Sequence, residues 1–119
     1  MHNRGAEHRK QRLAEGLREE IGAILEGELA DPRVGLAHVT EVHLAPDGKS
    51  ATILVAVDAE DEDPAATLAA LTSARGFIRL QVAHRLGLRQ APDMHFRLDK
   101  AEQLESRIDE LLQRTKKRR

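Results

Sequence analysis

The chain has 119 residues, of which 33% are charged and 40% hydrophobic, and its formal net charge at pH 7 is −1. These values are typical of one soluble domain with a modest core, and no apolar run reaches the ~20 residues that a membrane-spanning helix needs. The absence of cysteine excludes disulfides, thiolate chemistry and cysteine-type zinc sites, and it fits a reducing cytoplasm.

The N-terminal part of the chain predicts a long amphipathic helix from about His8 to Ala30. Its apolar residues recur at helical spacing and mark one buried stripe: Leu13, Leu17, Ile21, Ile24, Leu25 and Leu29. Asp31-Pro32 ends the helix, because proline disfavours the α conformation in the residue before it. The first residues carry no apolar stretch of the secretory type, so we expect no signal peptide.

Two strands joined by a tight turn follow the first helix. Residues 36–45 alternate imperfectly, and their apolar face is expected to hold Leu36, Thr40, Val42 and Leu44. Pro46-Asp47-Gly48 is turn chemistry, since proline presets φ and glycine accepts a positive φ. Residues 51–57 are apolar on both faces, which predicts a central strand. The two runs together predict a β-hairpin.

The second half of the chain predicts two adjoining helices. A helix over about 64–73 begins with Pro64 and buries Leu68 and Leu71, and a second runs over about 77–86 and ends at Gly87. Gly76 interrupts the helical pattern, so we expect a kinked helix–helix junction at Ala74-Arg75-Gly76.

A short strand and a last helix complete the predicted order. Residues 94–98 alternate, and Asp99 with Glu102 forms a capping box for a helix that is expected to bury Leu104, Ile108, Leu111 and Leu112. The order α-β-β-α-α-β-α predicts an α+β layer structure with a three-stranded sheet. We expect one domain over residues 1–113 and a flexible basic tail over 114–119.

Motifs for catalysis or metal binding are weak in this sequence. The six histidines are scattered, and His38 and His43 are expected on opposite faces of a strand because they lie five residues apart. Gly48-Lys49-Ser50 resembles the end of a P-loop, but it lies in a strand–strand turn and lacks the first glycine. The acidic run 58–63 reads as a solvated loop. We therefore predict no enzyme, no metal, no cofactor and no small-molecule substrate.

The net charge of −1 conceals alternating basic and acidic blocks. Residues 1–18 carry five bases against two acids, and residues 114–119 carry five bases. Between residues 72 and 92 the chain has four arginines and no acid. On an ideal helix Arg75, Arg79, Arg85 and Arg89 fall within an arc of about 120°, although Ile78, Val82 and Leu86 share that arc. Such an arc can follow RNA phosphates, whereas a merely solvated face is the alternative.

Aromatic stacking is not available as a binding mode. With two phenylalanines and no Tyr or Trp, we expect Phe77 and Phe96 to lie in the core. An RNA-binding function would then rest on shape and phosphate recognition.

The order α-β-β-α-α-β matches the type II KH fold, and the motifs are more specific. The sequence resembles the bacterial ribosome-binding factor A family over essentially its whole length. The segments that carry the resemblance are IGAILEGELADPRVG (21–35), VTEVHLAPDGKSATILVAV (39–57) and LTSARGFIRLQVAHRLGLRQAPDMHFRLD (71–99). One departure from the family pattern is the short tail after Leu112.

The resemblance implies a monomeric, cytoplasmic assembly factor that binds the immature 30S subunit and helps to mature its 16S rRNA, with a role in cold adaptation. It also implies that a kinked Ala-x-Gly junction, here Ala74 and Gly76, replaces the Gly-x-x-Gly loop of ordinary KH domains. The RNA-binding candidates are Arg75, Arg79, Arg85 and Arg89, with Arg9, Lys10 and Arg12 on the first helix, Arg33 after it, and Lys116 and Lys117 in the tail. Arg33 has a second interpretation as a cation at the helix C-terminus.

Two other function classes stay open. The long first helix and the striped charges also suit a protein–protein adaptor, whose binding would survive nuclease treatment. A small-molecule sensor or an enzyme on an α+β scaffold would require a polar pocket with convergent catalytic groups. The sequence contains no such convergent set, and this class is the weakest of the three.

Overall fold

In the computed structural model the described residues are 4–27, 37–57, 63–101, 108–109 and 111–113. The chain starts with helix α1 (Arg4–Gly27), which buries Leu17, Ile21, Ile24 and Leu25. This stripe is the predicted one, and Leu13 packs against its edge. Leu29 and the predicted stop at Asp31-Pro32 lie outside the described residues.

The predicted hairpin is confirmed as strands β1 (His38–Leu44) and β2 (Ser50–Ala56), which pair antiparallel. Gly48 has φ +71°, and its amide donates to the Ala45 carbonyl over 2.9 Å. The turn therefore has a glycine at the position that requires a positive φ. The Asp47 carboxylate accepts from the Lys49 amide over 3.0 Å and closes the turn.

A β-bulge at Thr40 changes the alternation of β1. Val39 pairs with Val55 and Glu41 with Leu54, so Thr40 has no partner in the register. Its hydroxyl instead donates to Asp99 Oδ2 over 2.6 Å. The predicted apolar face is therefore wrong at Thr40, although Val42 and Leu44 do pack against the core; Leu36 lies outside the described residues.

The same bulge corrects the prediction for the strand histidines. His38 and His43 are both exposed instead of lying on opposite faces, because one inserted residue shifts the two-residue alternation by one.

Helices α2 (Pro64–Ser73) and α3 (Arg75–Leu86) meet at Ala74, as the predicted junction required. The Ala74 amide donates to the Ala70 carbonyl and the Ala74 carbonyl accepts from the Ile78 amide, each over 3.0 Å, so helical hydrogen bonds continue through the junction. Asp63 caps α2 by accepting from the Ala65 amide over 3.0 Å.

Helix α3 ends at Gly87, whose φ is +64°. The Leu88 amide donates to the Ala83 carbonyl over 2.8 Å and the Gly87 amide to the His84 carbonyl over 3.3 Å. This is a Schellman arrangement, in which the left-handed residue returns the chain across the last turn of the helix.

Strand β3 (Asp93–Leu98) pairs parallel with β2, and the sheet order is β1-β2-β3. The prediction that the second strand is central is thus confirmed. The order α-β-β-α-α-β is the type II KH topology, and the three helices share one hydrophobic core with the sheet. No helix in the described part of the chain is long and apolar enough to cross a bilayer.

Three packing predictions are wrong. On α2 the buried residues are Thr67, Ala70 and Leu71, whereas Leu68 is only half-buried. Phe77 is 44% exposed on α3, whereas Phe96 does pack against the core as expected. The described residues near the C-terminus are helical, as predicted, but Ile108, Leu111 and Leu112 are about half exposed instead of buried. Leu104 lies outside the described residues.

Replacing Gly87 with Ala is expected to lower the free energy of unfolding by about 1–2 kcal/mol, because an L side chain is strained at a positive φ. The measurement is urea denaturation. Gly22→Ala is the matched control, since Gly22 lies inside α1 with no atom within 4 Å of an added Cβ. That variant should gain about 0.5–1 kcal/mol from helix propensity. Equal behaviour of the two variants would contradict the assigned role of Gly87.

Candidate nucleic-acid interface

A groove of about 350 Å³ lies where α1 passes the end of α3. The residues that line it are Arg9, Arg12, Leu13, Gly16, Leu86 and Leu88. Gly16 permits the close approach of the two helices, because a Cβ at this position would lie 3.2 Å from Leu86 Cδ2. The groove therefore has an apolar floor and two exposed guanidinium groups on one wall. Exposed Arg89 directly follows Leu88 in the chain.

Lys10 connects the same part of α1 to the hairpin. Its Nζ donates to the carbonyl oxygen of Pro46 in the β1–β2 turn. Lys10 thus has a structural contact beside its predicted role in binding. The contact also places the turn next to the basic half of α1.

A second cavity, of about 430 Å³, lies between the β1–β2 turn and the loop that joins α3 to β3. Its lining residues are Gly48, Lys49, Arg79, Gln90, Ala91 and Pro92. The loop lies beside both cavities, since Leu88 lines the first and residues 90–92 line the second.

Four exposed bases therefore gather around the α3–β3 loop: Arg9, Arg12, Lys49 and Arg89. We call this set the basic end of the molecule. Within the described residues, none of these four side chains has a hydrogen-bond or ion-pair partner. Their charges are available for an anionic ligand, and an arginine guanidinium can engage a phosphate through two parallel hydrogen bonds.

The structure does not bring the four arginines predicted between residues 72 and 92 onto one free surface. Ile78 and Val82, which share their arc, are fully buried, so the centre of the arc faces the core. Arg79 Nη2 donates to the Ala91 carbonyl over 2.9 Å and its Nε to the Pro92 carbonyl over 3.2 Å. This guanidinium holds the α3–β3 loop on the helix.

Arg85 spans from α3 to α1. Its Nη1 lies 3.4 Å from Glu20 Oε2, and the two side chains are 24% and 32% exposed. Arg75 is half-buried at the first residue of α3, beside Ala74 and Gly76 at the junction. It therefore lies at the opposite end of a helix about 18 Å long from Gly87.

Three predicted RNA-binding residues, Arg33, Lys116 and Lys117, lie outside the described residues, as does most of the acidic run 58–63.

The outward face of α3 is apolar, which the sequence reasoning missed. Phe77 is 44% exposed and Leu80 69% exposed, and exposed His84 lies one helical turn after Leu80. The sequence did contain a signal for this exposed face. Ile78, Val82 and Leu86 recur at helical spacing and already account for the core-facing side of α3, which leaves Phe77 and Leu80 on the other side.

Two exposed histidines of the sheet, His43 and His95, lie close to carboxylates on their own strands. His43 Nε2 lies 2.8 Å from Glu41 Oε2, and His95 Nε2 lies 3.8 Å from Asp93 Oδ2. Across the described part of the chain no three His, Asp or Glu side chains are placed to hold a metal ion.

Lys49 and Gln90 are further candidates that sequence reasoning did not select. Lys49 was considered only as part of a P-loop-like string, and Gln90 carries no charge. They come together because β3 pairs parallel with β2 in a register that places Asp93 opposite Ser50. No local sequence pattern predicts that register.

Comparison with known proteins agrees with this fold. The sequence model of the family described as "Ribosome-binding factor A" matches residues 9–112, which is most of the chain. The chain belongs to the ribosome-binding factor A family. The matched range includes the groove between α1 and α3, the β1–β2 turn and the α3–β3 loop, so the basic end lies within it.

Individual members of the ribosome-binding factor A family are similar in sequence and structure. The chain is 54% identical to ribosome-binding factor A of Koribacter versatilis over 119 residues, which is 100% of this chain and 97% of that protein. The crystal structure of the Thermus thermophilus protein superposes with a TM-score of 0.66 at 26% identity, covering 75% of this chain and 94% of that one. A Thermus thermophilus homology model fitted into the cryo-electron microscopy map of a 30S–RbfA complex gives 0.56 at 32% identity, covering 79% and 94%.

Arg79 and Arg89 are expected to differ sharply on substitution. Arg79→Ala removes the charged donors of two backbone carbonyls and should lower the free energy of unfolding by about 1–3 kcal/mol. Arg89→Ala should change it by less than about 0.5 kcal/mol, because the side chain is exposed. Urea denaturation of both variants measures the difference. If the two variants lose equal stability, Arg79 does not hold the loop.

Proposed function

We propose that this chain binds the immature small ribosomal subunit through the basic end of the molecule and assists late maturation of its 16S rRNA without catalysing a reaction. Membership of the family supports the ribosomal partner, as does the related Thermus thermophilus protein that was fitted into a map of a 30S complex. The observation that carries the site is the gathering of Arg9, Arg12, Lys49 and Arg89 around one loop.

The charge distribution explains how a chain with a net charge near zero can bind RNA. Phosphate contacts give affinity that depends on salt and not on base sequence, and they need local cations more than a positive net charge. A chain of net charge −1 has little long-range attraction for polyanions in general. Four exposed cations at one end favour docking of that end on structured RNA.

The mode of action that fits this site is to hold the rRNA in one conformation without remodelling it. Binding energy alone stabilises whichever rRNA conformation presents phosphates at the spacing of the basic end, since a ligand shifts an equilibrium by its differential affinity for the two states. Such a factor works in the cytoplasm, where ribosomes assemble. Its effect is greatest in the cold, because alternative RNA pairings then dissociate slowly.

A protein–protein adaptor is the second candidate function. The observation that favours it is the exposure of Phe77 and Leu80 on α3, since neighbouring exposed apolar side chains are typical of protein contacts. Co-sedimentation with 30S subunits separates the two functions. RNA binding is lost with salt or nuclease, whereas an adaptor contact survives nuclease treatment.

Binding to purified immature 30S subunits should weaken with salt, with a log–log slope of about −3 to −4 for about four phosphate contacts. The triple variant Arg9→Ala, Arg12→Ala, Arg89→Ala should bind more weakly and reduce the slope by about 2 to 3. Quantitative co-sedimentation across a salt series measures both.

The matched control for this experiment replaces three exposed arginines that do not line either cavity, namely Arg4, Arg18 and Arg97. It removes the same total charge. If the control loses as much affinity and slope as the triple variant, the contribution comes from overall charge and the assigned site is wrong.

In cells that depend on this chain, the triple variant should slow growth in the cold and accumulate unprocessed 16S rRNA. The reason is loss of the contact that holds the immature subunit. Primer extension at the 16S 5′ end, at low and at optimal temperature, measures the precursor. Normal processing by the triple variant, at equal protein level, would contradict a role of the basic end in maturation.

A further inference from the structure

Two separate parts of this chain expose large apolar side chains. On the outward face of α3, Phe77 is 44% and Leu80 69% exposed. Near the C-terminus, Ile108, Leu111 and Leu112 are each about half exposed. Removing such side chains from water is favourable, so grouped exposed apolar residues are typical of a contact surface. Each of the two groups therefore suits a partner, and the chain itself contains one for each.

The exposed residues of α3 form a stripe that can receive a helix. Phe77, Leu80 and His84 are all exposed and follow one another at intervals of three and four residues, so they lie on one face of α3. Gly76 lies one turn before Leu80, and an added Cβ there would meet no atom within 4 Å among the described residues. The backbone is thus open beside the stripe, which permits the close approach of a second helix. We call Phe77, Leu80 and His84 the α3 stripe.

The C-terminal residues carry a stripe of the same kind. Ile108, Leu111 and Leu112 are helical and lie at positions i, i+3 and i+4, so they share one face. In the sequence Leu104 precedes Ile108 at the same spacing. Apolar residues at these intervals are the ones that an amphipathic helix inserts into an apolar partner surface. We call Ile108, Leu111 and Leu112 the C-terminal stripe.

Opposite charges accompany the two stripes. Residues 72–92 carry four arginines and no acid, whereas residues 101–113 carry four acids and one arginine. Exposed Asp109 lies next to the C-terminal stripe, and exposed His84 belongs to the α3 stripe. Complementary charge favours an acidic amphipathic helix on α3, while the α3 stripe of a second copy would bring arginines towards arginines.

The chain between the stripes is long enough for them to meet. Asp99 is fixed at the end of β3, because its amide donates to the Val55 carbonyl over 2.8 Å and its carboxylate accepts from the Thr40 hydroxyl over 2.6 Å. Ile108 follows nine residues later. Nine residues span up to about 30 Å when extended, whereas α3 is about 18 Å long. Since β3 and α3 pack into the same core, the α3 stripe lies within this reach.

We propose that the C-terminal stripe docks on the α3 stripe of the same chain. The docked arrangement and the described one, in which both stripes are exposed, are two conformations of one protein. A tether of this length gives the C-terminal stripe an effective concentration of about millimolar at α3, so a weak contact is enough to populate the docked form.

This inference goes beyond the proposed function and does not depend on RNA binding. No residue of either stripe lines the groove or the second cavity. Docking therefore covers the apolar surface that favours an adaptor function and involves a different surface from the basic end.

The test is paramagnetic broadening in the full-length ¹⁵N-labelled chain. Since the chain has no cysteine, the variant Gln113→Cys carries a nitroxide at one known position beside Leu112. We expect the amide signals of Phe77, Leu80 and His84 to lose most of their intensity, relative to the same sample after the nitroxide is reduced. No broadening of these three signals would overturn the proposal.

Two substitutions in the labelled chain test the apolar and the charged parts of the contact. Leu80→Ser should restore the lost intensity, and it should leave the fold intact because Leu80 is already exposed. Asp109→Lys should restore part of it. Glu19→Lys is the matched control, since it makes the same charge change at an exposed acid on α1, and it should leave the broadening unchanged. Broadening that Leu80→Ser retains would count against the α3 stripe as the docking surface.

A mixed sample identifies the chain that supplies the helix. The ¹⁵N label is placed on one set of molecules and the nitroxide on another. The proposal predicts no broadening in this sample, and equal broadening in it would assign the contact to a second copy instead. None of these outcomes bears on 30S binding, which the salt series measures separately.

Discussion

The parallel pairing of β3 with β2 is the constraint on which the rest of this structure depends. Parallel neighbours cannot be joined by a tight turn, so the chain must cross over through α2 and α3 before β3 begins. The crossover packs α2 and α3 into the core with the sheet and returns the chain to the level at which β2 starts, where Asp93 pairs with Ser50. Hydrogen bonds fix both ends of β3, from the Asp93 amide to the Lys49 carbonyl at 2.9 Å and from the Asp99 amide to the Val55 carbonyl at 2.8 Å.

Basic side chains of α3 and of the loop after it have different roles because the chain turns back towards the sheet after Gly87. Arg79 meets two carbonyl oxygens of the loop and stabilises it, and Arg85 meets Glu20 on α1. Arg89, only four residues beyond Arg85, lies past the Schellman turn and is exposed. Arginines that share one helical arc in sequence are thus divided between stabilising the fold and facing solvent. The division follows from where carbonyls and carboxylates happen to face each guanidinium.

Sequence reasoning was most successful where a feature depends on neighbouring residues. The turn at Pro46-Asp47-Gly48, the helix start at Pro64 and the helix end at Gly87 each act within a few residues, and all three are confirmed. The prediction from sequence failed at Thr40, because the bulge there is stabilised by a hydrogen bond to Asp99, 59 residues away. It also failed at Phe77, because a large apolar residue was assumed to be buried although the core-facing side of α3 was already occupied.

Local chemistry and periodicity were enough to predict the element order, the central strand and the helix–helix junction, because turns, caps and amphipathic stripes act over short stretches of chain. Motif order was enough to point to the family. The proposed binding surface could not be predicted in this way. Arg9, Lys49 and Arg89 belong to three separate segments, and only the α1–α3 contact at Gly16 and the parallel register of β3 bring them together. Both contacts form between residues that are far apart in the chain. A local sequence pattern therefore cannot give the distance between the side chains that these contacts bring together.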